Sequence, residues 1–225
     1  PTIRAGIGMH TGSLIMGITG DEFRMDAATI SDTVNTAARI ESLTKYYKSP
    51  LLLSDHTLQY LDGQNNFHFR HLGSVKLKGK NNLLSIVECI NGFDELQFER
   101  KMQTLSQFNE AMSSYHDQQF ENALQIFQAI LTKDPDDLTA HYFLNNTKKY
   151  LREGVRKNST GAEEMVNKYK LRLRSVFFQT FDHYITRSTF ITGISKISLP
   201  AFGIIDRCIK LIEICCNRLD IFFIE

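Results

Sequence analysis

The sequence predicts an α+β layer domain followed by an all-helical segment. Two observations carry that expectation. Up to about Ile90, short runs of alternating apolar and polar residues are interleaved with one strongly helical stretch. Beyond Asn91-Gly92 the apolar residues fall at helical spacing, and this continues to Arg152. The chain has 225 residues, 42% of them apolar and 23% charged, an ordinary globular composition for one or two domains. Three units are expected: 1–93, 94–152 and a tail of uncertain character, 153–225.

The elements follow in order. Ile3, Ala5, Ile7 and Met9 alternate with Arg4, Gly6, Gly8 and His10, which reads as a strand. Thr11-Gly12 reads as a turn, with Leu14–Ile18 returning as the second strand of a hairpin. Phe23–Ile30 is a third extended segment. Ser31 or Asp32 caps a helix to about Tyr46, with Val34, Ala37, Ala38, Ile40 and Leu43 among its residues. Leu51–Leu53 is a short buried strand, and Ser54 caps a helix through Leu61. Phe67–His71, Ser74–Leu77 and Leu84–Ile90 are further strands. In the helical segment, Ala111, Tyr115, Phe120, Ala123, Phe127 and Ile130 form an inner face before Asp134-Pro135-Asp136-Asp137 breaks the chain. A further helix is expected from Leu138 to Tyr150.

Charge and cysteine usage narrow the classes. The formal net charge is +1, so no nucleic-acid or acidic-lipid partner is expected. Cys89, Cys208, Cys215 and Cys216 show neither zinc-site nor disulfide-framework spacing, and a reducing compartment is the default. No signal-peptide pattern opens the chain and no run of about 18 apolar residues occurs. A cytoplasmic location is expected, or the cytoplasmic end of a longer membrane-anchored protein.

Three stretches carry a family resemblance. The run Arg4-Ala5-Gly6-Ile7-Gly8-Met9-His10-Thr11-Gly12 resembles a strand of the class III adenylate and guanylate cyclases. Ile30-Ser31-Asp32-Thr33-Val34-Asn35-Thr36-Ala37-Ala38-Arg39 resembles their V-N-x-A-x-R signature, and Val75-Lys76-Leu77-Lys78-Gly79-Lys80 their V-K-G-K hairpin. The resemblance implies the C-terminal part of a ferredoxin-like nucleotide cyclase domain, converting ATP or GTP to a cyclic monophosphate and pyrophosphate. The two helices before Pro135 resemble a TPR hairpin, although Trp is missing and Ala111 stands where Gly is commonest.

What the resemblance implies residue by residue has a chemical reason. The ribose 3′-oxygen attacks the α-phosphorus and expels pyrophosphate, so donors must meet charge developing on phosphate oxygens. Asn35 would orient the ribose and Arg39 would stabilise the α-phosphoryl charge; four positions apart, they share a helix face. Arg suits the role because its planar fork stays charged and binds phosphate bidentately. Lys78 is the better candidate for the triphosphate end, with Lys80 close behind. Ala28 falls at a base-selecting position and offers no hydrogen bond, leaving ATP and GTP open, with ATP preferred. The family's two metal-binding aspartates, which hold Mg²⁺ or Mn²⁺, are expected upstream of Pro1, so no metal ligand is assigned here. The family works as a dimer, so a homodimer or another cyclase domain is the expected partner, and this chain alone is expected to be inactive.

Plainer readings exist for each residue. An isolated Asn and Arg on a helix face are usually just solvated, and alternating lysines commonly protect an edge strand. His10 reads as a structural histidine, and Gly6, Gly8 and Gly12 as packing and turn glycines. The alternative for the whole chain is a non-catalytic cyclase remnant that binds a protein partner through the helical hairpin. Residues 169–225 show no clean periodicity, and their removal is expected to leave residues 1–150 unchanged.

Overall fold

A computed structural model describes residues 6–13, 15–20, 25–61, 67–76 and 83–154, together with the short strands at 163–164, 178–180, 189–191 and 221–224. The elements are strands β1 (Ile7–His10), β2 (Ile15–Gly20) and β3 (Met25–Ile30), helix α1 (Asp32–Tyr47), strand β4 (Leu51–Ser54), helix α2 (Asp55–Leu58), and strands β5 (Phe69–Lys76) and β6 (Leu83–Cys89). A 3₁₀ turn, Ile90–Gly92, leads into helices α3 (Glu95–His116), α4 (Phe120–Lys133) and α5 (Leu138–Glu153). Strands β7 (Glu163–Glu164), β8 (Phe178–Thr180), β9 (Thr189–Ile191) and β10 (Ile221–Ile224) follow.

The main sheet runs β10-β1-β4-β6-β5-β7. β1 lies parallel to β4, which pairs antiparallel with β6, and β6 pairs antiparallel with β5. The mixture of this sheet with helices is the expected α+β arrangement. Two strand expectations need correction. The run after Thr11-Gly12 does not fold back on β1: β2 pairs with β3, from Ile15 opposite Ile30 to Gly20 opposite Met25. The strands expected at Phe67–His71 and Ser74–Leu77 merge into the single strand β5, Phe69–Lys76, with a register shift between His71 and Gly73; Leu77 lies outside the described residues. Gly73 has φ +96°, open to glycine and strained for other residues, which gives the strand its bulge without ending it.

β10 pairs antiparallel with β1, Ile7 opposite Ile224 through His10 opposite Ile221. With β7, which pairs parallel with β5, six described residues of the tail therefore join the sheet, pairings the sequence does not announce.

Alternation along the strands splits the core in two. Ile7, Met9, Leu51, Leu53, Val87 and Cys89 pack with Leu58 and Leu61 on one side. On the other, Leu52, Leu72, Val75 and Ile86 meet Ile40, Leu43 and Tyr47 of α1 and then continue into Phe108, Ala111, Tyr115, Ala123, Phe127, Ile130 and Phe143. This second cluster crosses position 93 without a break. The inner face expected of the helical segment is buried at Ala111, Ala123, Phe127 and Ile130, each with 0% exposure.

A buried ionic cluster seals the same junction. Arg70 of β5 donates from Nε to Glu88 Oε2 at 2.6 Å and from Nη1 to Asp137 Oδ2 at 2.7 Å. Lys101 of α3 reaches Asp137 Oδ1 at 2.7 Å. Asp137 is also the N-cap of α5, accepting from the Ala140 amide at 3.1 Å. The Arg70 guanidinium lies 4.0 Å over the Phe108 ring and the Lys101 ammonium 4.3 Å over Phe93. Two cations balance two carboxylates. Burial works against each charge, but the carboxylates outweigh it at Arg70, holding that guanidinium above its ordinary value, and Arg70 and Lys101 outweigh it at Asp137, holding its carboxyl well below the usual range.

Candidate active site

Helix α1 starts where its sequence says it should. Ser31 accepts from the Thr33 amide at 3.0 Å as N-cap. The Ser31 and Thr33 hydroxyls each donate to the Ser13 carbonyl at 2.7 Å, which ties the helix start to the chain leaving β1. The helix then rests on β1 through glycines. A Cβ on Gly8 would lie 2.1 Å from the Glu41 amide nitrogen and 2.7 Å from the Ala37 carbonyl oxygen. Backbone thus approaches backbone, and the expectation of a packing glycine holds.

This contact divides α1 into faces. Ala37, Ile40, Leu43 and Tyr47 are buried toward the sheet and helical segment. Asp32 and Asn35 are exposed, and Arg39 and Ser42 are half-buried on the same side. At 3.6 residues per turn these four positions form one stripe. Asn35 and Arg39 therefore stand together on the outward face, a turn apart.

The remaining expected residues are placed less completely. Ala28 sits on β3 opposite Gly17, three positions before the Ser31 cap. Lys78 and Lys80 lie outside the described residues, in the connection between β5 and β6. His10 is occupied structurally: its Nδ1 is 2.8 Å from the Ser54 hydroxyl, which also caps α2. Among the described residues there is no group of three or more His, Cys, Asp or Glu that could hold a metal ion.

Two features escape sequence reading. The β2–β3 hairpin forms a sheet of its own, with Ile15 75% exposed; the turn-like Thr11-Gly12 hides it by suggesting a return to β1. The ionic cluster joins residues as far apart as Arg70 and Asp137. Its one sequence cue is a charge inside each of two apolar strands, Arg70 and Glu88.

The comparisons agree with the motif reading. Residues 2–87 match the family model of the adenylate and guanylate cyclase catalytic domain. The terminal-differentiation-specific adenylate cyclase of Dictyostelium discoideum is 34% identical over 60% of this chain and 6% of its own length. An adenylate cyclase of Anabaena cylindrica is 42% identical over 39% of this chain and 18% of its own. A solved bacterial light-regulated adenylyl cyclase is 25% identical over 44% of this chain and 47% of its own, with a TM-score of 0.33. The chain thus spans less than a fifth of these two curated relatives. The stretch from residue 2 to 87, which holds β1, the outward stripe of α1 and most of the β5–β6 pair, is thus similar to the catalytic domain of the adenylate and guanylate cyclases, an enzyme family.

Proposed function

We propose that this chain supplies one half of a nucleotide-cyclising site, in which the 3′-oxygen of a ribose attacks the α-phosphorus and pyrophosphate leaves. The observation that carries the reading is the outward pairing of Asn35 and Arg39 on α1, inside the segment that matches the cyclase catalytic domain. Asn35 holds the ribose hydroxyls, and Arg39 meets the charge on the α-phosphoryl oxygens. Lys78 neutralises the triphosphate end, with Lys80 beside it. Ala28 takes the base-selecting position. ATP is the favoured substrate over GTP, supported by curated relatives that are named adenylate cyclases.

The other half comes from a second cyclase domain that carries two aspartates for Mg²⁺ or Mn²⁺; those ions supply Lewis-acid stabilisation of the phosphates when bound. An isolated two-stranded hairpin is marginal in water, so the β2–β3 ribbon with its exposed Ile15 fits a dimer contact. The division at 93/94 marks the end of the cyclase unit in sequence, and α3–α5 form a TPR-like region. Among the described residues no helix is long and apolar enough to cross a membrane. A nucleotide substrate suits the cytoplasm.

Complementation tests the proposal. The chain is mixed with a cyclase subunit that keeps its metal aspartates but has lost its own Asn/Arg pair, and cyclic nucleotide is measured with ATP and with GTP. Turnover is expected from the mixture, and Arg39→Ala should lower kcat by about 10²-fold with a smaller change in KM. A folded parent chain that restores nothing would favour a non-catalytic remnant. An Arg39→Ala variant within about threefold of the parent kcat would remove Arg39 from the site.

A further inference from the structure

The helical segment reaches the candidate site from behind. At the C-terminal end of α1, the Thr139 hydroxyl of α5 lies 3.1 Å from the Tyr47 carbonyl oxygen and 3.0 Å from Glu88 Oε1. Both are acceptors, so one buried proton serves the helix end and the sheet together. Glu88 is held by Arg70, Arg70 by Asp137, and Asp137 by Lys101. A continuous polar chain therefore runs from α3 through the N-cap of α5 and two strands to the last turn of α1. Arg70, Glu88 and Thr139 are 0% exposed, so none of these bonds is exchanged with water.

Rings grip the same turn. Tyr47 stacks on Phe143 with centroids 5.9 Å apart and 23° between planes. Tyr142 meets Tyr47 edge-on at 5.4 Å and donates its hydroxyl proton to the Tyr46 oxygen at 2.6 Å. The N-terminal end of the helix is held differently, by the Ser31 and Thr33 hydroxyls on the Ser13 carbonyl at 2.7 Å each. Along the length of the helix the contact with the sheet side runs over glycines, Gly12 against Thr33, Gly8 against Ala37 and Glu41, and Gly6 against Thr44, which bring the surfaces close but offer no side-chain ridge to fix sliding or rolling.

We propose that residues 95–153 act as a brace that sets the axial position of α1 on the sheet, with Thr139 as the positioning residue at its end. The proposal rests on the reading of Asn35 and Arg39 given above. Arg39 lies eight residues before Tyr47, about 12 Å along a rigid helix at 1.5 Å per residue. A shift at the braced end moves both site residues together. Regulation follows from the same geometry: whatever loosens α5 loosens the phosphate-facing stripe.

Amide hydrogen exchange on the whole chain is the first test. Thr139→Val removes the hydroxyl while keeping the shape, and Thr139→Ser keeps the hydroxyl. Valine should raise exchange of the Leu43, Thr44 and Tyr47 amides at least tenfold, leave Val75 and Val87 near the parent, and serine should restore the parent pattern. Equal acceleration of helix and sheet, or of valine and serine variants, would overturn the brace, as would no change in α1. In the complementation assay, Thr139→Val should lower kcat tenfold or more with KM within twofold; a loosened α1 with unchanged kcat overturns the positioning role. A parent mixture without turnover sinks the cyclase reading alone, and the exchange pattern still decides the brace.

Discussion

Asp137→Ala strikes the junction between sheet and helices at its most connected residue. The Asp137 side chain is 0% exposed and faces two cations, Arg70 and Lys101, each at 2.7 Å. Its loss leaves an excess positive charge in a water-excluded place, and removing one partner of a buried pair costs about 3–5 kcal/mol. The same carboxylate caps α5, and losing a cap costs about 1 kcal/mol. Because both effects come from one group they are not fully additive, and about 4 kcal/mol is the expected loss. That is a large share of the roughly 5–15 kcal/mol that holds a domain folded. Urea unfolding at neutral pH, followed by far-UV circular dichroism, gives the value from the midpoint at unchanged slope. Asp137→Asn should lose about 1 kcal/mol less, since its amide oxygen can still accept from Ala140. A double-mutant cycle with Lys101→Met should return a coupling of about 1–3 kcal/mol. A loss below about 1 kcal/mol for Asp137→Ala would show that the helices do not seal the sheet as described.

Acid should expose the same group. The Asp137 carboxyl is held below its unfolded value, so its contribution is complete above about pH 3.8 and is lost as pH falls from there toward its folded value; acid titration of stability should show that loss in the parent and not in Asp137→Asn. Ala123 is fully buried between α4 and its neighbours, and Ala123→Leu should overpack the contact at about 1–3 kcal/mol, read as a lower urea midpoint. Gly8→Ala should push α1 off β1, because the new methyl would fall 2.1 Å from a backbone nitrogen that cannot turn aside; unchanged thermal stability would contradict the packing. Truncation before Ile221 should raise amide exchange in Ile7–His10, and unchanged protection there would place β10 elsewhere.

Local signals in this sequence were legible and non-local ones were not. Ser31 before an apolar helical pattern gave α1 its start, and the spacing of Asn35 and Arg39 alone puts them on one face. The helical inner face was equally plain because Ala123, Phe127 and Ile130 repeat at helix spacing. Pairing partners were harder. Thr11-Gly12 has the composition of a hairpin turn, yet the Ser13 carbonyl is taken by two hydroxyls from the start of α1, and the chain leaves to form a separate ribbon. The break expected between His71 and Ser74 is a bulge because glycine, here Gly73 at positive φ, serves bulges and turns alike. The ionic cluster needs side chains 67 positions apart in sequence, a separation no periodicity records.

The position of the cluster explains why a charged core is tolerated here. An apolar junction would bury the same area without the desolvation cost, so the polar groups are poor stability devices by themselves. They do fix geometry: Arg70 has one arrangement that satisfies Glu88 and Asp137 together, and Glu88 in turn leaves one oxygen for Thr139. An oily contact between α5 and the sheet would permit small slides, and the glycine-floored contact of α1 would follow them. A site built from Asn35 and Arg39 tolerates little displacement, since an error of about 1 Å in a reacting geometry can cost about 10²-fold in rate. The charged junction therefore makes sense as a device for position more than for stability, and it sits where α1, the sheet and the helical segment meet.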